Sequence, residues 1–295
     1  MTINTKFKGL GVAMVTPFTD DNTIDFDALA KLTESLISGG VNYLVVLGTT
    51  GETATLTKEE KKQVYAKIKE VAAGRVPLVA GIGGNNTMEV IETILVFDFT
   101  GYDAVLSVSP YYNKPNQEGI FQHYKAIAEA SPKPVIIYNV PGRTGSNITA
   151  ATQLRIAELP NVIATKEASG NFSQVMEILA NRPKDMMVIS GDDAFTFPFV
   201  ALGMEGVISV IGNAYPKEFS TMVKLCLEGK WDEARVLHYK LLAIMEAIFE
   251  DGSPGGIKVL LKKKGICSDK VRLPLANVGK ATEEKLLKLH YDLKI

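Results

Sequence analysis

Val162–Ile163–Ala164–Thr165–Lys166–Glu167–Ala168–Ser169–Gly170 places a lysine at the end of a short apolar, β-branched run that gives way to small residues and glycine. The run reads as a buried strand leading into a loop. Strand side chains alternate with period two, so Lys166 is expected in phase with Val162 and Ala164. A desolvated ammonium is disfavoured and its pKa falls. The neutral amine that results is the form that attacks a carbonyl to make a Schiff base. On this stretch alone the lysine could instead pair with a carboxylate or snorkel to the rim.

Working outward, the same unit recurs on both sides. Leu10–Val15, Val41–Leu47, Val76–Ile82, Ala104–Ser109, Val135–Tyr138, Val162–Lys166, Met187–Ile189 and Gly206–Ile211 read as strands, with helical periodicity between them. Thr57 with Glu60 three residues on forms a capping box before one such helix. The strands lack polar alternation, as parallel strands buried on both faces do. Alternating strands and helices imply right-handed crossovers. Eight strands fit a closed (β/α)8 TIM barrel better than an open doubly wound sheet, because no Gly-x-Gly-x-x-Gly fingerprint follows a strand. After Gly212 only helices are expected: Phe219–Leu227, Trp231–Phe249, Gly256–Lys263 and Ala281–Leu293. The expected organisation is a barrel over residues 1–225 and a C-terminal helical extension over 226–295. The apolar Trp231–Phe249 helix is expected to pack on the barrel or on another subunit.

Composition bounds the function. Lys+Arg is 32 against Asp+Glu 33, so no basic surface is implied and nucleic acid is not an expected partner. No apolar run is long enough for a membrane span, and Met1–Phe7 has no signal-peptide core. Cys226 and Cys267 show no metal spacing and cannot form a disulfide framework, which suits a reducing cytoplasm.

In such barrels chemistry sits at the carboxyl ends of the strands, and the unusual polar residues fall there. Gly48–Thr49–Thr50–Gly51 is either a tight turn or a nest of amides and hydroxyls for a carboxylate. Tyr138 is either core packing with a satisfied hydroxyl or a proton relay above a Schiff base. Tyr111 and Tyr112 could be interface aromatics. Arg143 is a loop charge or a fork for a second carboxylate. Asp192 and Asp193 are expected to cap the next helix rather than bind metal. His123, His238 and His290 read as structural or surface residues.

Together Gly48–Thr49–Thr50–Gly51–Glu52, Pro110–Tyr111–Tyr112–Asn113, Tyr138–Asn139–Val140–Pro141–Gly142–Arg143–Thr144, Lys166–Glu167–Ala168–Ser169–Gly170 and Ser190–Gly191–Asp192–Asp193 give a pattern that resembles the dihydrodipicolinate synthase family. That family lies in the class I aldolase superfamily, which includes N-acetylneuraminate lyase. The resemblance spans the barrel and, more loosely, the C-terminal helices. It implies condensation of pyruvate with L-aspartate 4-semialdehyde to 4-hydroxy-tetrahydrodipicolinate, in the route to diaminopimelate and lysine. Lys166 would form the Schiff base, and no metal or organic cofactor would be needed. Tyr138 would shuttle protons through Thr49 to Tyr112 of a neighbouring subunit in a homotetramer, a dimer of dimers. Thr49 and Thr50 would hold the pyruvate carboxylate, Arg143 that of the semialdehyde. Gly191 and Ile208 would supply backbone near the lysine. Asn85, Glu89 and Tyr111 match the family's site for inhibitory lysine. Lys58 and Lys61 depart from it, and two fixed cations would oppose a cationic ligand. Ser253–Pro254 also departs from the usual Asn–Pro. Two other readings are a pyruvate aldolase for sugar-acid aldehydes, which would give Arg143 no carboxylate to hold, and a barrel that senses an oxo acid without turnover.

Overall fold

Eight short parallel strands close on themselves in chain order, β1 pairing with both β2 and β8. The computed structural model describes residues 6–294, so Met1 to Thr5 of the amino-terminal stretch lie outside the described residues. The elements in order are β1 (Gly9–Ala13), α1 (Phe26–Ser38), β2 (Tyr43–Val46), α2 (Lys58–Ala72), β3 (Leu78–Gly81), α3 (Thr87–Val96), β4 (Ala104–Val108) and α4 (Gln117–Ala130). They continue with β5 (Val135–Asn139), a single turn α5 (Pro141–Thr144), α6 (Ala150–Ala157), β6 (Val162–Glu167), α7 (Phe172–Asn181), β7 (Met187–Ser190), α8 (Thr196–Ala201) and β8 (Gly206–Ser209). Last come α9 (Pro216–Leu227), α10 (Trp231–Ala247), α11 (Gly255–Lys263) and α12 (Lys280–Asp292).

Each strand is buried on both faces, but the faces differ. Ala13, Val45, Val79, Leu106, Ile136, Ala164, Ile189 and Ile208 fill the barrel interior. Leu10, Leu44, Leu78, Val105, Ile137 and Val207 point outward and pack under the helices. Phe7 and Tyr43 meet edge to face at 5.5 Å in the interior cluster. Gly11 must be glycine there, since a Cβ would lie 2.2 Å from the Tyr43 ring. α9 packs on β1 and β8 and completes the outer ring, and α10 packs on α9 and α12.

The phase of β6 departs from the expectation. The β5–β6 register shifts between Val135 and Ile136: Val135 lies opposite Val162, but Ile136 lies opposite Ala164. The extra residue is a bulge. Val162 therefore joins the outer core while Ala164 and Lys166 face inward. The Thr57–Glu60 capping box is present. The segment 141–144, expected as loop, is a helical turn with Pro141 at its start, where the missing amide hydrogen is harmless.

Candidate active site

Lys166 is the penultimate residue of β6, flanked in register by Tyr138 of β5 and Ile189 of β7. Its Nζ lies 4.3 Å from the centre of the Tyr138 ring. The lysine is buried, and desolvation pushes its pKa down from 10.5 to about 7. Asp193 opposes that shift, and the Arg143 guanidinium adds to it. Burial pushes Tyr138 up to about 12, against the pull of Arg143 and a hydrogen bond with Thr49. One interior thus holds an amine that gives up its proton near pH 7 and a phenol that keeps its own.

The chain passes close over this lysine. Gly191, after β7, donates its amide to the Glu167 carbonyl at 2.8 Å. A Cβ at Gly191 would lie 2.6 Å from Ala168 Cβ and 3.0 Å from Lys166 Cε, so glycine makes room for the lysine. Ile208, on β8, closes the wall in the interior cluster.

Outward-facing neighbours fix the alignment from behind. Asn139 and Glu167 follow Tyr138 and Lys166 and lie opposite each other. The buried Glu167 carboxylate accepts from Asn139 Nδ2 (2.9 Å), Gln153 Nε2 (2.6 Å), Gln174 Nε2 (3.1 Å) and the Ser169 amide (2.7 Å). Four donors compensate its burial without a cation.

At the end of β2 the chain turns through Leu47 (φ 56°) into a 3-10 turn, Thr49–Gly51, closed by Glu52 (φ 53°). Thr50 is buried and Thr49 exposed. Thr16 Oγ1 holds the turn by donating to the Gly51 carbonyl at 2.7 Å. The Gly51 amide bonds the Gly48 carbonyl at 3.0 Å; the leading amides of a helical turn have no acceptor within it.

The structure thus groups Lys166, Tyr138, Thr49, Arg143, Gly191 and Ile208 at one end of the barrel, with Thr50 beside Thr49. Tyr112 stands apart: it is 88% exposed with φ 72°. Tyr111 is exposed, and its carbonyl accepts from Asn85 Nδ2 at 3.2 Å. Glu89 is exposed in the first turn of α3. The three histidines have structural surroundings: His123 bonds Thr87, His238 stacks on Phe197 and His290 bonds Tyr215.

The aspartates only partly follow the capping expectation. Asp192 Oδ1 accepts from the Phe195 amide at 3.0 Å. Asp193 Oδ2 instead accepts from the amides of Val210 and Ile211, at 3.0 and 2.8 Å, and braces the loop after β8. Burial raises its pKa to about 6. Among the described residues no group of three or more His, Cys, Asp or Glu could hold a metal ion.

One constellation has no counterpart in the sequence reading. Lys258 of α11 and Glu52 form an ion pair at 2.5 Å with both side chains 0% exposed. The available signal is a single ammonium inside the run Ile257–Lys258–Val259–Leu260–Leu261.

The fold and the interior lysine define the class: a (β/α)8 barrel enzyme of the class I aldolase type. The chain belongs to the dihydrodipicolinate synthetase family, whose profile matches residues 6–294. The 4-hydroxy-tetrahydrodipicolinate synthase of Flavobacterium psychrophilum is 54% identical, covering 95% of this chain and 96% of that one. The crystal structure of the chloride-inhibited dihydrodipicolinate synthase from Acinetobacter baumannii, complexed with pyruvate, superposes with a TM-score of 0.95 at 40% identity, covering 98% of this chain and 99% of that one. The synthase of Cyanidioschyzon merolae with lysine bound gives a TM-score of 0.94 at 37% identity, with the same shares of 98% and 99%.

Proposed function

We propose that this chain condenses pyruvate with L-aspartate 4-semialdehyde to give 4-hydroxy-tetrahydrodipicolinate, with Lys166 as the Schiff-base residue. The observation that carries the reading is the buried Lys166 amine at the carboxyl end of β6, 4.3 Å from the Tyr138 ring, where burial lowers its pKa. The neutral amine adds to the pyruvate ketone, and loss of water leaves an iminium. The iminium draws electrons from the adjacent methyl group, which gives up a proton to form an enamine. The enamine carbon attacks the aldehyde, whose oxygen takes a proton. The amine of the semialdehyde then attacks the iminium carbon, releasing Lys166 and closing a six-membered ring.

Tyr138 is suited to the proton transfers because it is protonated at neutral pH and joined to Thr49. Thr49 and Thr50 hold the pyruvate carboxylate at the 3-10 turn. Arg143, whose charge is felt by both Tyr138 and Lys166, holds the carboxylate of the second substrate. Gly191 and Ile208 shape the wall around the adduct.

The working form is a homotetramer in the cytoplasm, with Tyr112 completing the relay of a neighbouring subunit. Support comes from the exposure of Tyr112 and of Met88, Leu95 and Val96 on α3, an apolar face that a partner would cover. Among the described residues no helix is long and apolar enough to cross a membrane.

The test is turnover of both substrates, coupled to a downstream reductase and followed at the nicotinamide absorbance. Rapid pyruvate-dependent oxidation supports the reading. Arg143→Ala should then lose about 2 kcal/mol or more of affinity for the semialdehyde while pyruvate is still trapped by borohydride. Trapping without turnover would turn the search to sugar-acid aldehydes and remove the role given to Arg143.

A further inference from the structure

Glu52 follows directly on Thr49–Thr50–Gly51 and is a non-glycine residue in the left-handed region, at φ 53°. Such a conformation persists only where the surroundings enforce it. Here they do. Oε1 of Glu52 lies 2.5 Å from Lys258 Nζ, and Oε2 accepts the Arg272 amide at 2.9 Å. Lys258 also donates to the Lys270 carbonyl at 2.7 Å and lies 4.3 Å from the Phe18 ring centre. The Arg272 guanidinium bonds Glu60, at the start of α2, at 2.6 and 3.0 Å, and the Asn22 carbonyl at 2.7 and 3.0 Å. The 52–60 connection is therefore clipped at both ends by residues 258–272 of the C-terminal region.

A fully buried ion pair is weak evidence for stability, since an apolar replacement of both partners is often neutral or stabilising. Its directional bonds fix a geometry instead. We propose that Lys258 is a positioning residue for the pyruvate-binding turn: by holding Glu52 it sets the angle at which Thr49 and Thr50 face the substrate carboxylate, and it makes the C-terminal helices part of the active-site scaffold. The proposal rests on the reading of Thr49 and Thr50 as the carboxylate holders.

The experiment is steady-state kinetics of the full chain carrying Lys258→Met, Thr50→Ala or both. Lys258→Met should raise the pyruvate KM about tenfold or more, with the semialdehyde KM within about twofold, as a displaced positioning group would. In the double variant the two effects on pyruvate KM should fall short of their product, because both act through one turn. If Lys258→Met does not fold, Glu52→Gln combined with Lys258→Met leaves no buried charge unpaired and carries the same expectations. A lowered melting temperature with unchanged pyruvate KM, or multiplicative effects, would overturn the positioning role while the Thr50→Ala effect keeps the carboxylate reading intact. An unchanged pyruvate KM in Thr50→Ala itself would remove that reading and this proposal with it.

Discussion

In the proposed reaction Lys166 titrates near neutral pH, where an exposed lysine stays protonated both folded and unfolded. Its native pKa of about 7 lies below the 10.5 of a free side chain because burial disfavours the ammonium. The reactive amine therefore accumulates as pH rises through about 7. The rate of borohydride-trapped pyruvate adduct should rise across that pH and level off above it; an inflection near 10 would contradict the desolvated lysine. Lys166→Ala should abolish the adduct. For stability the sign follows from proton counts. Between about pH 7 and 10.5 the unfolded chain holds a proton at this site that the native chain lacks, so stability rises with pH there. At and below pH 7 the full burial penalty acts, on the order of a few kcal/mol. Lys166→Met should accordingly raise the melting temperature more at pH 6 than at pH 10, which thermal unfolding at the two pH values would read directly.

Between residues and barrel stand the elements, and β6 with the loop after β7 sets the lysine's position. Gly191→Ala puts a methyl 2.6 Å from Ala168 and 3.0 Å from Lys166 Cε. The loop is otherwise pinned by the Gly191–Glu167 backbone bond and by Asp193 on Val210 and Ile211, so the lysine has to yield. The expected result is adduct formation slowed about 10²-fold, the scale of a misplacement near 1 Å, in a chain that still unfolds cooperatively. Wild-type trapping rates would show that the site relaxes. At this scale the sequence was informative where physics is local. Apolar runs, glycine stops and the Thr57–Glu60 box all declare themselves within a few residues, and Lys166 stood out by ending such a run. The bulge that puts Val162 and Ala164 on different faces depends on pairing with β5, which no window of β6 contains. Asp193 reads as a helix cap in sequence because Asp before a helix usually is one, yet its partners lie 17 and 18 residues away. Lys258 and Glu52 are 206 residues apart, so only the closed barrel brings them together.

Asn85 and Asn113 tie the loop after β3 to the Tyr111–Asn113 loop, through Asn85 Nδ2 on the Tyr111 carbonyl and Asn113 Nδ2 on the Asn85 carbonyl. The family resemblance assigns this surface, with Glu89, and the segment carrying Lys58 and Lys61 to the site for inhibitory lysine. Burial lowers the pKa of Lys61, and the charge of Lys58 lowers it further, so the two cations repel each other. A third ammonium close by would meet opposition of about 1–4 kcal/mol from each fixed charge at contact distance. Turnover should therefore be unaffected by L-lysine at micromolar concentrations. Lys61→Glu should lower the lysine concentration needed for inhibition by about tenfold or more, since it replaces a repulsion by an attraction of similar size. The measurement is initial rate against lysine concentration for both chains at one protein concentration. Inhibition of the unaltered chain at micromolar lysine would show that Glu89 and the carbonyl and amide groups around Asn85 outweigh the two lysines, and the charge argument would fall.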